Sequence, residues 1–379
     1  MIQEPSMKEL RPKFEAALAF AQDQVKNLIA KHPDYFPLYT QQGKWEHTGE
    51  AWTNWCEGFL GGMMWLFHQH SADPWWRERA EHYSLLIEER KHDRSVHDLG
   101  FLFWSTWKRW YDLGGDPTVK ETLITAGKTL GMRFKERGQY LRSFVAEDSL
   151  FIDIMMNVGI IFYAAQESRD QDLLHKVTQH CLTTRRYLVR GDGSTSHEGL
   201  FNLASGEFIR QSTHQGWRDD SSWARGQAWA LYGFTTVYGF TREERFLQTA
   251  QACADFYLER TAFDEDARYG PGIPPNDWEE PARTAMVESS AAAITASGLF
   301  DLSGHSKDQE KARQYRAAAL VILDTLTGPD YLADQTPGWE GILKHGIYHQ
   351  RKNLGVDESV MFGEHFFVEA LVKALALEE

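Results

Sequence analysis

Apolar residues recur along most of this chain at the i, i+3, i+4 spacing of helices that bury one face. Scattered strand content fits the loop from Ser194 to Ile209, where Gly206 could close a hairpin. Twelve helical runs begin near Lys8, Ala51, Pro74, His97, Pro117, Leu150, Asp170, Ser222, Arg242, Ala285, Asp308 and Val360. The pattern predicts an all-α protein.

The connections between the runs alternate in length. After each even-numbered run the chain turns within a few residues, with helix-start chemistry such as Asp73-Pro74 and Asp116-Pro117. The other connections are long and rich in Gly, Pro and aromatic residues, as in 33–50, 191–221, 263–283 and 328–359. Six helical hairpins side by side should close into an (α/α)6 barrel. Because no interdomain linker is visible, we expect residues 1–379 to form one domain.

All the long loops should emerge at one end of this barrel, where the even-numbered helices begin. A polar or charged residue recurs at nearly every one of these starts: Glu57, Asp98, Asp153, Arg225, Glu288 and Glu364. The sequence therefore predicts a functional site at this mouth.

Charge and composition narrow the class of ligand. The chain has 54 acidic and 40 basic residues, a net charge of −14, and no basic run that could follow a phosphate backbone. Nucleic acids and anionic membrane surfaces are therefore poor partners. The 14 Trp and 22 Phe fit a pocket that stacks flat rings such as sugars, although a large helical core would also use them.

The cysteines and the apolar runs of the chain indicate where the protein is located. Cys56, Cys181 and Cys253 are far apart and odd in number, which favours free thiols in a reducing compartment. The first ten residues lack the apolar core of a signal peptide, and no apolar run is long enough to span a bilayer. We expect a cytoplasmic protein that is a monomer or a weak homodimer.

Local motifs for metal, nucleotide or nucleophilic chemistry are missing. The chain has no HExxH, phosphate-binding Gly-rich loop or GxSxG, and its fifteen His do not fall in ligand spacing. We therefore expect no metal and no cofactor. Buried thiols are the favoured interpretation of all three cysteines, although Cys56 lies at the expected mouth and could be accessible.

Two carboxylates stand out because each lies inside an apolar run. Asp98 opens the run that reaches about Trp110, and Asp153 lies within Phe151-Ile152-Asp153-Ile154-Met155. A buried ionised carboxylate costs several kcal/mol unless it is paired or its pKa rises. Either an ion pair with an Arg or acid/base catalysis explains them, and they are the leading acid/base pair.

Other candidates have both a functional and a structural interpretation. Trp55, Trp223 and Trp229 are either stacking walls or core. Arg225 either clamps a ligand carboxylate or pairs with Asp98 or Glu288. The remaining candidates, which are either recognition groups or solvated loop residues, are His197, Thr213-His214-Gln215-Gly216, and Tyr348-His349 with Arg351 and Lys352.

Six segments in this order resemble the unsaturated glucuronyl hydrolases of glycoside hydrolase family 88, over a span from about Trp52 to Leu371. They are His97-Asp98-Leu99-Gly100-Phe101, Ile152-Asp153, Tyr187-Leu188-Val189-Arg190-Gly191-Asp192, Thr213-His214-Gln215-Gly216, Trp223-Ala224-Arg225-Gly226-Gln227-Ala228-Trp229 and Glu288-Ser289-Ser290-Ala291. Each segment is weak alone, and the series is specific.

The resemblance implies an (α/α)6 barrel and an enzyme that removes the 4,5-unsaturated uronic acid left on oligosaccharides by polysaccharide lyases. In that family a carboxylic acid protonates C4, water adds at C5, and the hemiketal rearranges and expels the aglycone. By this resemblance Asp153 is the general acid and base, and Asp98 is the second carboxylate. It also implies a substrate pocket formed by Trp55, Phe59, His97, His197, His214, Gln215, Trp223, Arg225, Trp229 and Tyr348, with the Arg351-Lys352 patch helping to attract an anion.

The chain departs from the usual residues of the family at three positions, and other functions of the same barrel fit the sequence. The family usually has Asp where this chain has Glu288 and Glu364, and Phe144 stands where a pocket Trp is expected. These differences affect the prediction of the leaving sugar more than that of the reaction. An unsaturated rhamnogalacturonyl hydrolase of family 105 type would use the same chemistry on pectin fragments. A sugar 2-epimerase that uses His, or a non-catalytic carbohydrate-binding protein, would share the barrel.

Overall fold

The computed structural model describes residues 2–46 and 52–377, in which six inner helices form a ring and six outer helices surround it. The outer helices are α1 Met7–Lys31, α3 Pro74–Leu86, α5 Pro117–Gly131, α7 Gln171–Tyr187, α9 Glu244–Arg260 and α11 Gln309–Leu326. The inner helices are α2 Gly58–Ser71, α4, α6 Val158–Ser168, α8 Ala224–Thr241, α10 Ser289–His305 and α12 Met361–Leu375. Helix α4 comprises Leu99–Phe103, a π-helical turn Trp104–Lys108, and Arg109–Gly114.

The ring is closed by contacts between successive inner helices. Each inner helix packs against the next one, and α12 packs against both α10 and α2. The outer helices pack on the outside of this ring, with α1 against α12 and α11. The fold is thus an (α/α)6 barrel, as predicted.

Burial explains the two kinds of helix in the sequence. Nearly all of α8 and α10 is buried, because an inner helix contacts two inner neighbours and an outer layer. Helix α7 buries a single face that includes Leu173, Val177 and Cys181. An inner helix is therefore apolar on nearly all sides, whereas an outer helix is apolar on one face only. No helix among the described residues is long and apolar enough to cross a bilayer.

The short turns have the predicted cap chemistry. The carboxylates of Asp73, Asp116, Asp170 and Asp308 each accept a hydrogen bond from a backbone N–H two or three residues later. Proline fills the first helical position after Asp73 and Asp116. These caps satisfy helix-start donors and end each inner-to-outer turn quickly.

Among the described residues, three small antiparallel sheets lie in the long connections. They consist of β1 Phe134–Lys135 with β2 Tyr140–Leu141, β3 Ser149–Phe151 with β4 Glu198–Phe201 and β5 Phe208–Ser212, and β6 Gly346–His349 with β7 Leu354–Glu358. The predicted hairpin is β4–β5. Its Gly206 has a φ of 80°, and a Cβ there would lie 2.1 Å from the carbonyl oxygen of Arg137, so only glycine fits.

Five predicted helix starts were two to eight residues too early; those at Ser222 and Arg242 were each early by two, since α8 begins at Ala224 and α9 at Glu244. Helix α4 begins at Leu99 rather than His97, because Asp98 has non-helical backbone angles. Helix α6 begins at Val158 rather than Leu150, since 149–151 pair with β4 and a 3-10 turn, Ile152–Met156, follows. Helix α10 begins at Ser289 rather than Ala285, where Glu288 caps it. The predicted start at Ala51 lies outside the described residues.

Candidate active site

A cavity of about 490 Å³ opens at the mouth where the inner helices begin. The lining residues that the sequence had singled out as site candidates are Trp55, His97, Asp98, Asp153, His214, Gln215, Arg225, Trp229 and Tyr348. Phe59, His197 and Trp223 lie behind this lining. The long loops therefore bring residues from distant parts of the chain to one pit, at the predicted end of the barrel.

Both candidate carboxyl groups line this cavity. Asp98 directly precedes α4 and is 4% exposed, and its pKa is raised well above the usual range by burial and by the nearby charge of Asp153. Burial also raises the pKa of Asp153 to about 6, against the opposing charge of Arg225. The pair can therefore hold a proton near neutral pH, as a general acid must.

Each carboxyl group has a neutral histidine beside it. His97 Nε2 lies 3.3 Å from Asp98 Oδ1, and His197 Nε2 lies 3.5 Å from Asp153 Oδ2. His97 Nδ1 accepts a backbone N–H at 2.9 Å from Phe144, and His197 Nδ1 accepts one at 3.1 Å from His214. Since Nδ1 is an acceptor in both rings, the proton of each neutral ring lies on Nε2. His197 Nε2 and Asp153 Oδ2 nevertheless lack a hydrogen-bond partner in the structure.

Burial keeps both imidazoles uncharged. It lowers the pKa of His97 and of His197 well below the usual range, and neighbouring cationic groups add to the effect. His197 is 2% exposed and packs between the rings of Phe151 and Trp223, with centroids 4.5 and 4.8 Å away. His197 therefore lies beside Asp153, behind the cavity lining.

Arg225 is the buried cation of the site. Its guanidinium lies 4.4 Å from the centroid of Trp223 and 4.7 Å from that of Phe362. It donates to Gln215 Oε1 at 2.5 Å, to Tyr348 O at 2.9 Å and to Ile347 O, and lies 3.9 Å from Glu288. Of the two ion-pair partners considered from sequence, Glu288 is the one nearby. Arg225 therefore fixes Gln215 and Tyr348 at the cavity.

Aromatic rings form one wall and the floor. Trp55 stacks on Tyr348 with centroids 6.2 Å apart and an angle of 17°. Trp229 packs on Phe101 at 5.1 Å, and its Nε1 is buried without a hydrogen-bond partner. Phe59 packs behind Trp55 at 6.1 Å. A flat sugar ring could stack on this wall and use the free indole N–H.

The rim contains residues that the sequence analysis missed: Trp52, Asn54, Ser95, Val96, Val145 and Phe151. Phe144, which stands where a pocket Trp is expected, also lines the cavity, as do His349 and Lys352 of the predicted basic patch. Trp52 and Asn54 lie on the loop that carries Trp55, so their position just before an inner helix was the available signal. The Lys352 Nζ lies 3.9 Å above the Trp52 ring. Arg351 instead donates to the carbonyl oxygens of Thr213 and Trp217 and fastens that loop.

Not every polar helix start reaches the cavity. Glu57 pairs with Arg90, Glu288 caps α10, and Glu364 accepts the backbone N–H of Ile342. These acids were grouped with the ring of carboxylates from sequence because all occupy the same helical position. Because each of the three acids has a partner in the surrounding structure, we interpret them as local stabilising groups.

The expectation of buried thiols is confirmed, and the alternative of an accessible Cys56 is wrong. Cys56 is 1% exposed, and burial raises the pKa of its thiol well above the usual range. A protonated thiol without solvent access is a poor nucleophile. Cys181 and Cys253 are also free and buried. In the part of the chain that the structure describes, no three His, Cys, Asp or Glu side chains are grouped to hold a metal ion.

Comparison with known proteins assigns this architecture. A model of Glycosyl Hydrolase Family 88 matches residues 21–263. The unsaturated glucuronyl hydrolase of Formosa agariphila is 32% identical over 327 residues, which is 84% of this chain and 79% of the relative. The unsaturated chondroitin disaccharide hydrolase of Streptococcus pneumoniae is 29% identical over 331 residues, 85% of this chain and 82% of the relative.

Solved structures agree along nearly the whole length. The crystal structure of an unsaturated glucuronyl hydrolase specific for heparin superposes with a TM-score of 0.87 at 27% identity, and covers 96% of this chain and 97% of that one. The unsaturated glucuronyl hydrolase of Bacillus sp. GL1 superposes with a TM-score of 0.86 at 27% identity, covering 94% and 96%. This chain belongs to glycoside hydrolase family 88 and is a glycosidase.

Proposed function

We propose that this enzyme removes the 4,5-unsaturated uronic acid from the non-reducing end of lyase-generated oligosaccharides by hydrating its vinyl ether. The observation that supports this most directly is Asp153, a carboxyl group at the cavity whose pKa burial raises to about 6. Such a group is protonated in slightly acidic solution and ionised above it, so one residue can serve as both acid and base.

In the proposed reaction, Asp153 gives its proton to C4 of the C4=C5 bond, and positive charge develops at C5 and the ring oxygen. The resulting carboxylate then takes a proton from water while the water oxygen bonds to C5. The hemiketal opens at the C5–ring oxygen bond, which leaves a ketone at C5 and a hemiacetal at C1. Collapse of that hemiacetal expels the aglycone as an alcohol, with one water consumed overall.

Asp98 has a supporting role in this proposal. It lies close enough for the charge of Asp153 to raise the pKa of its carboxyl group. A carboxylate beside C5 would lower the energy of a developing cation. His97 and His197 lie beside the two acids, with Nε2 3.3 Å from Asp98 and 3.5 Å from Asp153. This arrangement is present before substrate binds.

The anionic substrate must enter a protein of net charge −14. Two cationic residues that line the cavity, Arg225 and Lys352, oppose that charge locally. Local potential in a cleft can differ in sign from the net charge. We propose that the uronic acid carboxylate lies on this side, with its ring against Trp55, Tyr348 and Trp229.

Glycosaminoglycan-type disaccharides are the proposed substrates. The relatives include hydrolases named for unsaturated chondroitin disaccharides and one described as specific for heparin. The exposed rim residues Trp52, Phe144 and Val145 offer an apolar surface for the leaving sugar beyond the uronic acid.

We further propose one catalytic domain that acts in the cytoplasm as a monomer or weak homodimer. One apolar core extends from Leu10 to Leu375, which supports a single domain. The three free thiols support a reducing compartment. Cell fractionation and sedimentation across a concentration series test location and assembly.

The experiment that tests the reaction follows the ultraviolet absorbance of the conjugated C4=C5 bond with unsaturated chondroitin, hyaluronan and heparin disaccharides. The wild type should remove the absorbance, and Asp153→Asn should not. Asp172→Asn makes the same chemical change on an outer helix, where the side chain is 73% exposed, and should keep full activity. Loss of absorbance with Asp153→Asn, or none with the wild type on any of these sugars, would overturn the proposal.

A further inference from the structure

Glu198 is a buried carboxylate that the proposed reaction does not use. Its side chain is 3% exposed and lies outside the cavity lining. One carboxylate oxygen accepts a hydrogen bond from Ser149 Oγ, and the other lies 3.2 Å from His214 Nε2. These hydrogen bonds outweigh the cost of burial and lower the pKa of Glu198, so it is ionised at neutral pH. Burying a carboxylate costs free energy, so its position next to the cavity calls for a functional explanation.

The carboxylate belongs to a chain of hydrogen bonds that runs from the barrel wall to the cavity. Arg133, 2% exposed, donates to the carbonyl oxygen of Ser143 at 2.7 Å, and Ser143 Oγ donates to Ser149 Oγ at 2.8 Å. Ser149 in turn donates to Glu198, whose partner His214 lines the cavity. Buried serines held on both sides leave Glu198 little freedom to move.

His197 directly precedes strand β4, which begins at Glu198, and the two neighbouring side chains have different partners. His197 faces Asp153, whereas Glu198 faces His214, and the two imidazole centroids are 6.1 Å apart. His214 has a side chain that is 45% exposed, so it would otherwise rotate freely. With Nε2 directed at Glu198, Nδ1 is the ring nitrogen left for a ligand.

We propose that Glu198 is a positioning residue for the substrate, which it serves by holding His214 in one orientation and one tautomer at the cavity. With Nε2 directed at Glu198, Nδ1 keeps its lone pair and can accept a hydrogen bond from a sugar hydroxyl group. The proposal rests on the proposed function for its substrate. It deepens that function by assigning substrate affinity, not proton transfer, to this pair.

The kinetic test uses Glu198→Gln, which keeps the shape and removes the charge. A hydrogen bond that involves an ionised group is stronger than a neutral one, and its loss should raise KM for an unsaturated disaccharide roughly tenfold with kcat unchanged. Glu207→Gln makes the same change at an exposed position beyond the same strand and should leave both constants unchanged.

A double-mutant cycle separates positioning from a merely structural role. If Glu198 acts through His214, Glu198→Gln should have no further effect on KM once His214→Ala is present. Equal effects of Glu198→Gln in both backgrounds, or an unchanged KM in the folded single variant, would overturn the proposal. Circular dichroism and thermal unfolding establish that each variant is folded.

A second readout does not depend on turnover. In ¹⁵N spectra the wild-type His214, identified by its loss in His214→Ala, should show a protonated Nε2, and Glu198→Gln should change its tautomer signals. If the wild type fails to act on any unsaturated disaccharide, the proposed function fails while this readout still tests the pairing. Unchanged His214 signals in Glu198→Gln would contradict the pairing itself.

Discussion

Replacement of Asp153 by Asn should make the protein more stable in alkaline solution. Burial raises the pKa of Asp153 from its usual 3.8 to about 6, so the folded state binds this proton more tightly than the unfolded chain does. A shift of about two pH units corresponds to about 3 kcal/mol. That stabilisation is complete below about pH 4 and is lost as the pH rises through about 6.

The measurable part lies between pH 5 and pH 8. With these two pKa values, the wild type should lose about 1.4 kcal/mol of unfolding free energy over this interval from Asp153 alone. Asp153→Asn has no proton to lose and should escape this part of the decline. The side chain is 15% exposed, and water that reaches it makes the figure an upper limit.

Urea unfolding at the two pH values measures the difference between variant and wild type. The stability advantage of Asp153→Asn should grow from pH 5 to pH 8, whereas that of Asp172→Asn, fully outside the barrel interior, should not. An advantage that stays constant or shrinks would refute the argument that burial controls this carboxyl group.

The same group should set the pH dependence of catalysis. If Asp153 must be protonated in order to give its proton to C4, kcat/KM should fall above about pH 6, in parallel with the loss of stability. If the two profiles coincide, the same buried carboxyl group that lowers the stability of the protein above pH 6 is the one that provides its activity.

Three further predictions concern residues around the acids. Burial raises the pKa of Glu364 to about 8, so Glu364→Gln should flatten the decline of thermal stability that the wild type shows from pH 5 to pH 9; an equal slope would contradict this. A Cβ at Gly100 would lie 2.4 Å from Asn157 Cα, and Gly100→Ala should cost about 1–3 kcal/mol in chemical unfolding; unchanged stability would mean that the two backbones separate freely. His197→Ala should lower kcat roughly tenfold with little change in KM, since His197 touches Asp153 from behind the lining; a change confined to KM would assign His197 to substrate binding instead.

Much of the fold could be predicted because two features of the sequence are local. Apolar periodicity marks helices, and cap residues such as Asp73 and Asp116 mark where short turns end. The alternation of short and long connections then predicts the six hairpins and the end at which the site lies. Both acids, Asp98 and Asp153, could be recognised because a charge within an apolar run is unusual.

What the sequence could not provide depends on contacts between distant segments. The pairing of Phe151 with Glu198 converts a predicted helix start into a strand followed by a 3-10 turn. Glu364 was grouped with the acids of the cavity because it occupies the same helical position. In the structure its carboxylate instead accepts the backbone N–H of Ile342. The rim residue Trp52 lacked a distinguishing local pattern.

The closed ring has a consequence for the order of folding. His365 on α12 lies 3.1 Å from the carbonyl oxygen of Phe59 on α2, although the two residues are 306 positions apart. Arg225 likewise depends on carbonyl groups of Ile347 and Tyr348 to hold its guanidinium. During synthesis the ribosome must therefore release most of the chain before the pit is complete. Until then the nascent helices expose apolar surface, and folding of the catalytic centre is necessarily a late event.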